Sequence, residues 1–152
     1  MTEVDHRKLL EGFASMFRTN DWARLGDFIA ENAVFEFPQS GERFRGLANI
    51  RGQFENYPDL EPDSTQLEEV IGGTTYALTP MYTVVAVEGT GDRGTSLIRV
   101  RYPDGSRWWA VNLYEVRDGK IARARAFFAP EFEPPDWRRP YHDNQPDAGS
   151  AE

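Results

Sequence analysis

Hydrophobic residues recur at helical spacing through the first third of the chain and alternate as in strands from residue 66 onward. That change of period restricts the fold before anything else does. Leu9, Leu10, Phe13, Met16 and Phe17 form an amphipathic stripe behind a Thr2/Asp5 capping pair, which predicts a helix over residues 5–18. Asn20-Asp21 ends it; Asp21 is placed to cap a second helix with Trp22, Leu25, Phe28 and Ile29 on one face and Asn32 as a left-handed terminator. Val34-Phe35-Glu36-Phe37 reads as a strand closed by Pro38, and residues 39–46 as a turn with a minimal strand. Leu47, Ile50, Phe54 and Tyr57 mark a third helix that stops at Pro58. Strands are then predicted over residues 66–71, 76–88 with a bend at Pro80, 95–102, 107–117 and 120–128. Gly72-Gly73, Pro103-Asp104-Gly105-Ser106 and Asp118-Gly119 supply the hairpin turns.

Helices first and hairpin-linked strands afterwards predict an α+β fold, with the N-terminal helices packed on one face of a strongly curved, mainly antiparallel sheet. A chain of 152 residues supports one such domain with a real core. Its expected extent is residues 1–142, with 143–152 as a disordered tail. Residues 129–152 hold five of the ten prolines and are not expected to continue the sheet. Phe132, Trp137 and Tyr141 within that stretch predict docking, either across the sheet of the same chain or onto a partner subunit.

Chemistry narrows next. The absence of cysteine removes disulfide, thiolate-metal and cysteine-nucleophile chemistry. With 25 acidic and 17 basic residues the net charge is -8, which argues against nucleic acid and anionic membrane as partners. No apolar run is long enough to span a bilayer and the first residues lack a signal-peptide layout, so a cytoplasmic location is expected. His6 and His142 are far apart, and neither is expected on a scaffold rigid enough for a general base; no metal site and no cofactor is predicted. No serine sits in a nucleophile elbow, and no glycine-rich phosphate loop lies between a strand and a helix.

Strand alternation sorts the last two strands into two faces. If Asn112 points inward, Trp108, Ala110 and Tyr114 accompany it, while Trp109, Val111 and Leu113 point out. On the last strand Ala122, Ala124, Ala126 and Phe128 form the matching inner set, and Ile121, Arg123, Arg125 and Phe127 the outer one. Alanines opposite large aromatics leave volume for a pocket walled by Phe13, Phe17, Phe37, Phe54 and Tyr57, unless those rings fill it themselves as core. Asn112 is the leading polar candidate, as ligand contact or as structural hydrogen bond, and Tyr57, Tyr82 and Tyr114 offer hydroxyls. Glu36 faces away from the cavity if Phe35 and Phe37 face in. The outer set, with the i, i+2 pairs Arg99/Arg101 and Arg123/Arg125, is either a solvated face or the contact of a homodimer; its apolar content favours the dimer.

The helix junction at Asn20-Asp21-Trp22, the segment Ala30-Glu31-Asn32-Ala33-Val34-Phe35-Glu36-Phe37-Pro38, the helix start from Gly46 to Ile50, and Tyr114-Glu115-Val116-Arg117-Asp118-Gly119-Lys120-Ile121 occur in a characteristic order. Together they resemble the SnoaL-like branch of the NTF2-like (cystatin-like cone) superfamily, over roughly residues 8–128. The resemblance implies a cone-shaped α+β fold and a range of activities: steroid isomerases, polyketide cyclases, epoxide hydrolases, dehydratases and non-catalytic members. Of the ketosteroid isomerase positions, the tyrosine falls on Phe13, the general base on Phe37 and the second acid on Asn112. Neither phenylalanine transfers a proton, so only the Asn112 amide is left as a catalytic candidate, an oxyanion donor. Arg99-Val100-Arg101 lacks the acid of the limonene epoxide hydrolase pair. The expected function is binding of a small apolar, cyclic or hydrophobic organic compound by residues including Phe13, Phe17, Phe37, Phe54, Tyr57, Trp108, Asn112, Tyr114, Ala124 and Ala126. An isomerase-, cyclase- or hydrolase-type reaction and a non-catalytic ligand-binding or dimeric assembly role both stay open.

Overall fold

The structure is a computed structural model that describes residues 3–19, 21–56, 82–101 and 106–143. Helix α1 (His6–Thr19) begins at Asp5, whose carboxylate accepts the Lys8 backbone N–H at 3.0 Å. Asp5 is thus itself the cap, satisfying one of the orphan donors of the first turn. The α1 stripe buries Leu10, Phe13, Ala14 and Met16.

The second predicted helix is a single 3-10 segment, Trp22–Asp27, with Trp22 and Leu25 buried. Asp21 makes no side-chain cap, and Ile29 and Asn32 belong to the following strand instead of a helix end. Tertiary pairing explains the difference: β1 (Ile29–Phe37) is held on both sides, antiparallel to β2 (Glu42–Arg45) and parallel to β6 (Lys120–Pro130). Helix α2 (Leu47–Glu55) then lies against β1 and the 3-10 segment, with Leu47 and Ile50 buried. The predicted strands at 66–71 and the first part of 76–88 fall outside the described residues, as do Tyr57 and Pro58.

Strands β3 (Tyr82–Thr90), β4 (Arg93–Arg101), β5 (Arg107–Arg117) and β6 complete a six-stranded sheet of order β2-β1-β6-β5-β4-β3. All neighbours are antiparallel except β1 and β6. Register shifts interrupt β1, β3 and the β5/β6 ladder, and such bulges bend a sheet into the cone that the helices close on one side. The β5–β6 turn is the predicted two-residue one: Asp118 and Gly119 both take positive φ, 51° and 78°.

One bulge corrects the predicted faces. The β5/β6 register steps from Glu115↔Arg123 to Val116↔Ile121, so Ala122 is the extra residue. Strict alternation fails there: Ile121 is buried beside Ile29 while Ala122 drops out of the inner row. A second correction concerns the end of β6. Ala129 and Pro130 continue the ladder opposite Trp109 and Trp108, and the Glu131 N–H donates to the Arg107 carbonyl at 3.0 Å. Proline is tolerated because the last residue of the strand needs no ladder donor.

Beyond Glu131 the chain forms a short 3-10 turn, Asp136–Tyr141. Phe132, Trp137 and Tyr141 are 77%, 72% and 84% exposed, so docking across the sheet of the same chain does not occur. No helix among the described residues is long and apolar enough to cross a membrane.

Candidate functional site

The inner face of the sheet is laid down by alternation along β4, β5 and β6. Ser96 and Ile98 on β4 stand beside Asn112 and Ala110 on β5, which in turn stand beside Ala126 and Phe128 on β6. Ser96, Ile98, Ala110, Tyr114, Ala124 and Ala126 are buried. Small residues on the strands leave the depth that rings from the helices enter. Phe13 of α1 meets Phe54 of α2 edge-on at 6.1 Å, and Phe54 stacks on Trp22 at 5.3 Å. Phe35, paired with Ala124 across the parallel ladder, is buried as well.

A second aromatic group forms where β1 and β6 end. Phe37 contacts Phe44 at 5.0 Å and Phe128 at 5.1 Å, both edge-to-face. Gln39 holds this end in register by donating to the Phe128 carbonyl at 2.8 Å and accepting the Phe128 N–H at 2.6 Å. Its amide continues the ladder where Pro38 no longer supplies an N–H. Trp108, half-buried at the same end of β5, donates its indole N–H to Ser106 at 3.0 Å. Of the predicted lining residues, Phe13, Phe54, Asn112, Tyr114, Ala124 and Ala126 therefore share the interior with Phe35, while Phe37 and Trp108 stand nearer its end. Tyr57 and the side chain of Phe17 lie outside the described residues.

Polar groups inside are few. The Asn112 amide donates to the fully buried Ser96 hydroxyl at 3.1 Å, so the structural bond anticipated for Asn112 is real. The amide nitrogen of Gln53, one turn beyond Ile50 on α2, is buried and makes no hydrogen bond. A buried unsatisfied donor is rare and costs about 1–3 kcal/mol, which makes Gln53 a marker that alternation and family patterns did not single out.

His6 opens α1 as the sequence predicts, but it is seated more rigidly than a first-turn position implies. It is 8% exposed and bonded through both ring nitrogens, Nδ1 to the Tyr114 hydroxyl at 3.0 Å and Nε2 to the Gly91 carbonyl at 2.9 Å. A carbonyl only accepts, so Nε2 carries a proton, and Nδ1 bonds the Tyr114 hydroxyl. Burial pushes the Tyr114 phenol up to about 12. Room for the pair comes from two glycines: a Cβ on Gly89 would lie 2.4 Å from the His6 ring, and one on Gly94 would lie 2.2 Å from the Tyr114 ring. The missed signal was periodic, since His6, Leu10 and Phe13 are spaced i, i+4, i+7 on one helix stripe.

The outer face is charged. Glu36 Oε1 accepts two bonds from Arg123, from Nη2 at 2.6 Å and Nε at 3.1 Å, while Oε2 lies 3.7 Å from Arg43. The Arg123 hydrogen bond holds the Glu36 carboxyl below its usual range. Arg99 is buried with its guanidinium 4.0 Å from the centre of the Trp109 ring and 2.6 Å from Glu131, which Arg107 also reaches at 3.5 Å. Arg99, Arg107 and Arg123 thus find acids within their own chain. At the other end of this face a cleft of about 530 Å³ is lined by Glu88, Thr95, Leu113, Glu115, Arg123 and Arg125 among others. Among the described residues no three His, Asp or Glu side chains gather as a metal site.

The SnoaL-like domain profile matches residues 10–124, most of the chain. The chain belongs to the SnoaL-like domain family. Similar solved structures include an NTF2-like protein of unknown function from Burkholderia xenovorans LB400, 21% identical over 92% of this chain and 94% of that one, with a TM-score of 0.70. A candidate ketosteroid isomerase from Kribbella flavida DSM 17836 is 23% identical over 93% and 90%, TM-score 0.69. An LEH-like epoxide hydrolase of M. tuberculosis is 14% identical over 80% of each chain, TM-score 0.56. At these identities the likeness is one of fold. No curated protein matches. In this SnoaL-like chain, Phe13 and Phe37 are rings that pack against other rings.

Proposed function

We propose that this SnoaL-like protein binds a small, mainly apolar cyclic compound inside the cone, held between Phe13, Phe54 and the Ala110/Ala126 surface, with the amides of Asn112 and Gln53 orienting its polar group. The observation that carries this reading is the chemistry of the inner face. Among the described inward residues of β1, β4, β5 and β6 there is no Asp or Glu, while one buried amide donor has no partner. An apolar wall with a few placed donors suits recognition of a carbonyl or hydroxyl on a hydrophobic skeleton. It does not provide a carboxylate base, so the reading favours binding over isomerisation.

The protein acts as a homodimer through the outer sheet face on this reading. Leu113 and Phe127 there are 44% and 37% exposed beside half-buried Trp109 and Val111. A patch of this kind is what association covers.

Thermal shift against a panel of steroid-like, terpenoid and polycyclic aromatic compounds tests the binding. A binder raises Tm with concentration, Gln53→Leu and Asn112→Leu weaken that rise for carbonyl-bearing compounds only, and Ala126→Trp abolishes it for all. A panel without any stabilising compound overturns the reading. Sedimentation of the wild type beside Leu113→Asp tests the dimer, which is refuted by a monomeric wild type at micromolar concentration.

A further inference from the structure

The sheet ladder sets a free acid and a free base on the outer face at equal distances from the boundary between β4 and β5. Register places Glu88, Thr95, Leu113 and Arg125 side by side in one row across β3, β4, β5 and β6. Glu88 and Arg125 are exposed, and neither side chain has a hydrogen bond or ion pair among the described residues. Arg125 stands beside Glu36 in the ladder, but the Glu36 oxygens go to Arg123 and Arg43. Three strand spacings, about 14 Å, keep Glu88 and Arg125 apart within one chain. The next row toward the β3–β4 turn sets Arg93 beside Glu115, a contact of 3.7 Å between side chains that are 78% and 42% exposed. The row on the other side sets Leu97 beside Val111, both half-buried.

Charge decides how a second copy meets this face. A two-fold axis running across the strands at the Leu113 row lays Glu88 on Glu88 and Arg125 on Arg125. An axis along β5 lays Glu115 on Glu115 and Arg93 on Arg123, and one along the β5–β6 boundary presses Arg125 on Leu113. An axis along the β4–β5 boundary exchanges β4 with β5 and β3 with β6. Glu88 then falls opposite Arg125 of the second copy, and Leu97 opposite its Val111, with Leu113 beside the axis. The two Arg93–Glu115 pairs meet head to tail, so four alternating charges form a ring without either copy giving up its own contact. Aligned sheets pack about 10 Å apart at roughly 30°, which displaces positions this near the axis by about 4 Å, within the reach of glutamate and arginine side chains. Apolar residues along the axis with charges to either side are the core and rim of a stable interface.

We infer that the chain pairs with a second copy about a two-fold axis along the β4–β5 boundary, Glu88 of each copy taking Arg125 of the other. This rests on the dimer reading above and adds to it the register and the charges that select it. Charge exchange read by sedimentation tests it. Glu88→Arg alone and Arg125→Glu alone each set like charges together twice per pair, and each should raise the dissociation constant by about 30-fold or more. An equimolar mixture of the two variants regains both opposite-charge contacts, so it should form a heterodimer at close to wild-type affinity, as should a chain that carries both changes. Because Arg125→Glu adds an acid beside Glu36, a second mixture, Arg93→Glu with Glu115→Arg, probes the same axis without it and should also associate more tightly than its components. A wild type that is a dimer, with neither mixture tighter than its components, overturns the register and leaves the dimer standing. A monomeric wild type overturns both.

Discussion

The two faces of β5 and β6 are built from alternate residues of the same strands and obey different physics. Inside, Asn112 meets Ser96 and Tyr114 meets His6, partners joined by single hydrogen bonds in a setting of alanines and rings. Outside, Arg123 meets Glu36 and Arg99 meets Glu131, charged partners beside Trp109. The inner groups are largely buried and depend on packing to keep their geometry, whereas the outer pair at Glu36 is held in partly exposed surroundings where solvent competes. A face of the first kind suits an apolar ligand; one of the second kind suits a protein partner.

The comparison predicts that steric injury inside outweighs loss of charge outside. Gly94→Val should be the most damaging change, because its Cβ would fall on the Tyr114 ring and break the tie to His6. Overpacking of this kind costs about 3 kcal/mol, a fall in Tm of roughly 10 °C by calorimetry. A variant that melts like the wild type would show that the ring has room to move.

Arg99→Met comes next and probes a buried charged group of the outer face. It leaves Glu131 with Arg107 and removes the guanidinium from Trp109, an expected loss of about 2 kcal/mol in denaturant unfolding. If Arg99→Met is instead neutral, the outer face is uniform in its tolerance of lost charge, and the distinction between its buried and exposed ends fails.

Alkaline titration separates the faces without a change of packing. The folded Tyr114 phenol titrates at about 12 and an unfolded tyrosine at about 10. Its neutral form is favoured in the native state, so this contribution is complete below pH 10 and is lost as pH rises toward 12. Tyr114→Phe should flatten that part of the stability curve while lowering the plateau by about 1–2 kcal/mol, since His6 loses its hydroxyl partner. An unchanged alkaline slope in Tyr114→Phe would assign the slope to another group.

The smallest effect belongs to Glu36. Its carboxyl is held below the ordinary value by the Arg123 hydrogen bond, so its contribution is present above pH 4.5 and fades as pH falls through the lowered folded value. Glu36→Gln should remove a shallow acid-side slope, and 1 M salt should shrink the difference between variant and wild type. A salt-independent difference would mean that the pair is shielded like the inner groups.

Much of the interior was legible in advance. The inner row Trp108, Ala110, Asn112 and Tyr114 follows from alternation alone, and the Asp118-Gly119 turn from two residues that tolerate positive φ. The helix over α1 and the extent of β5 needed no partner to be read. The expected placement of Ala122 and Ile121 failed because alternation assumes a strand without bulges, and a bulge is decided by the neighbouring strand. Gln53 escaped notice for a related reason: a missing hydrogen bond is visible only once every possible partner has been placed.

Sequence by itself determined the order of helices and strands and the separation of a small-residue inner face from an arginine-bearing outer one. These are local properties, carried by period, propensity and residue type. Tertiary structure decided the parallel pairing of β1 with β6, the seat of His6 against a tyrosine 108 residues away, and the exposure of Phe132, Trp137 and Tyr141 on a pinned root. Each of those depends on which distant groups meet, and a contact energy between residues far apart in the chain has no imprint on the spacing around either one.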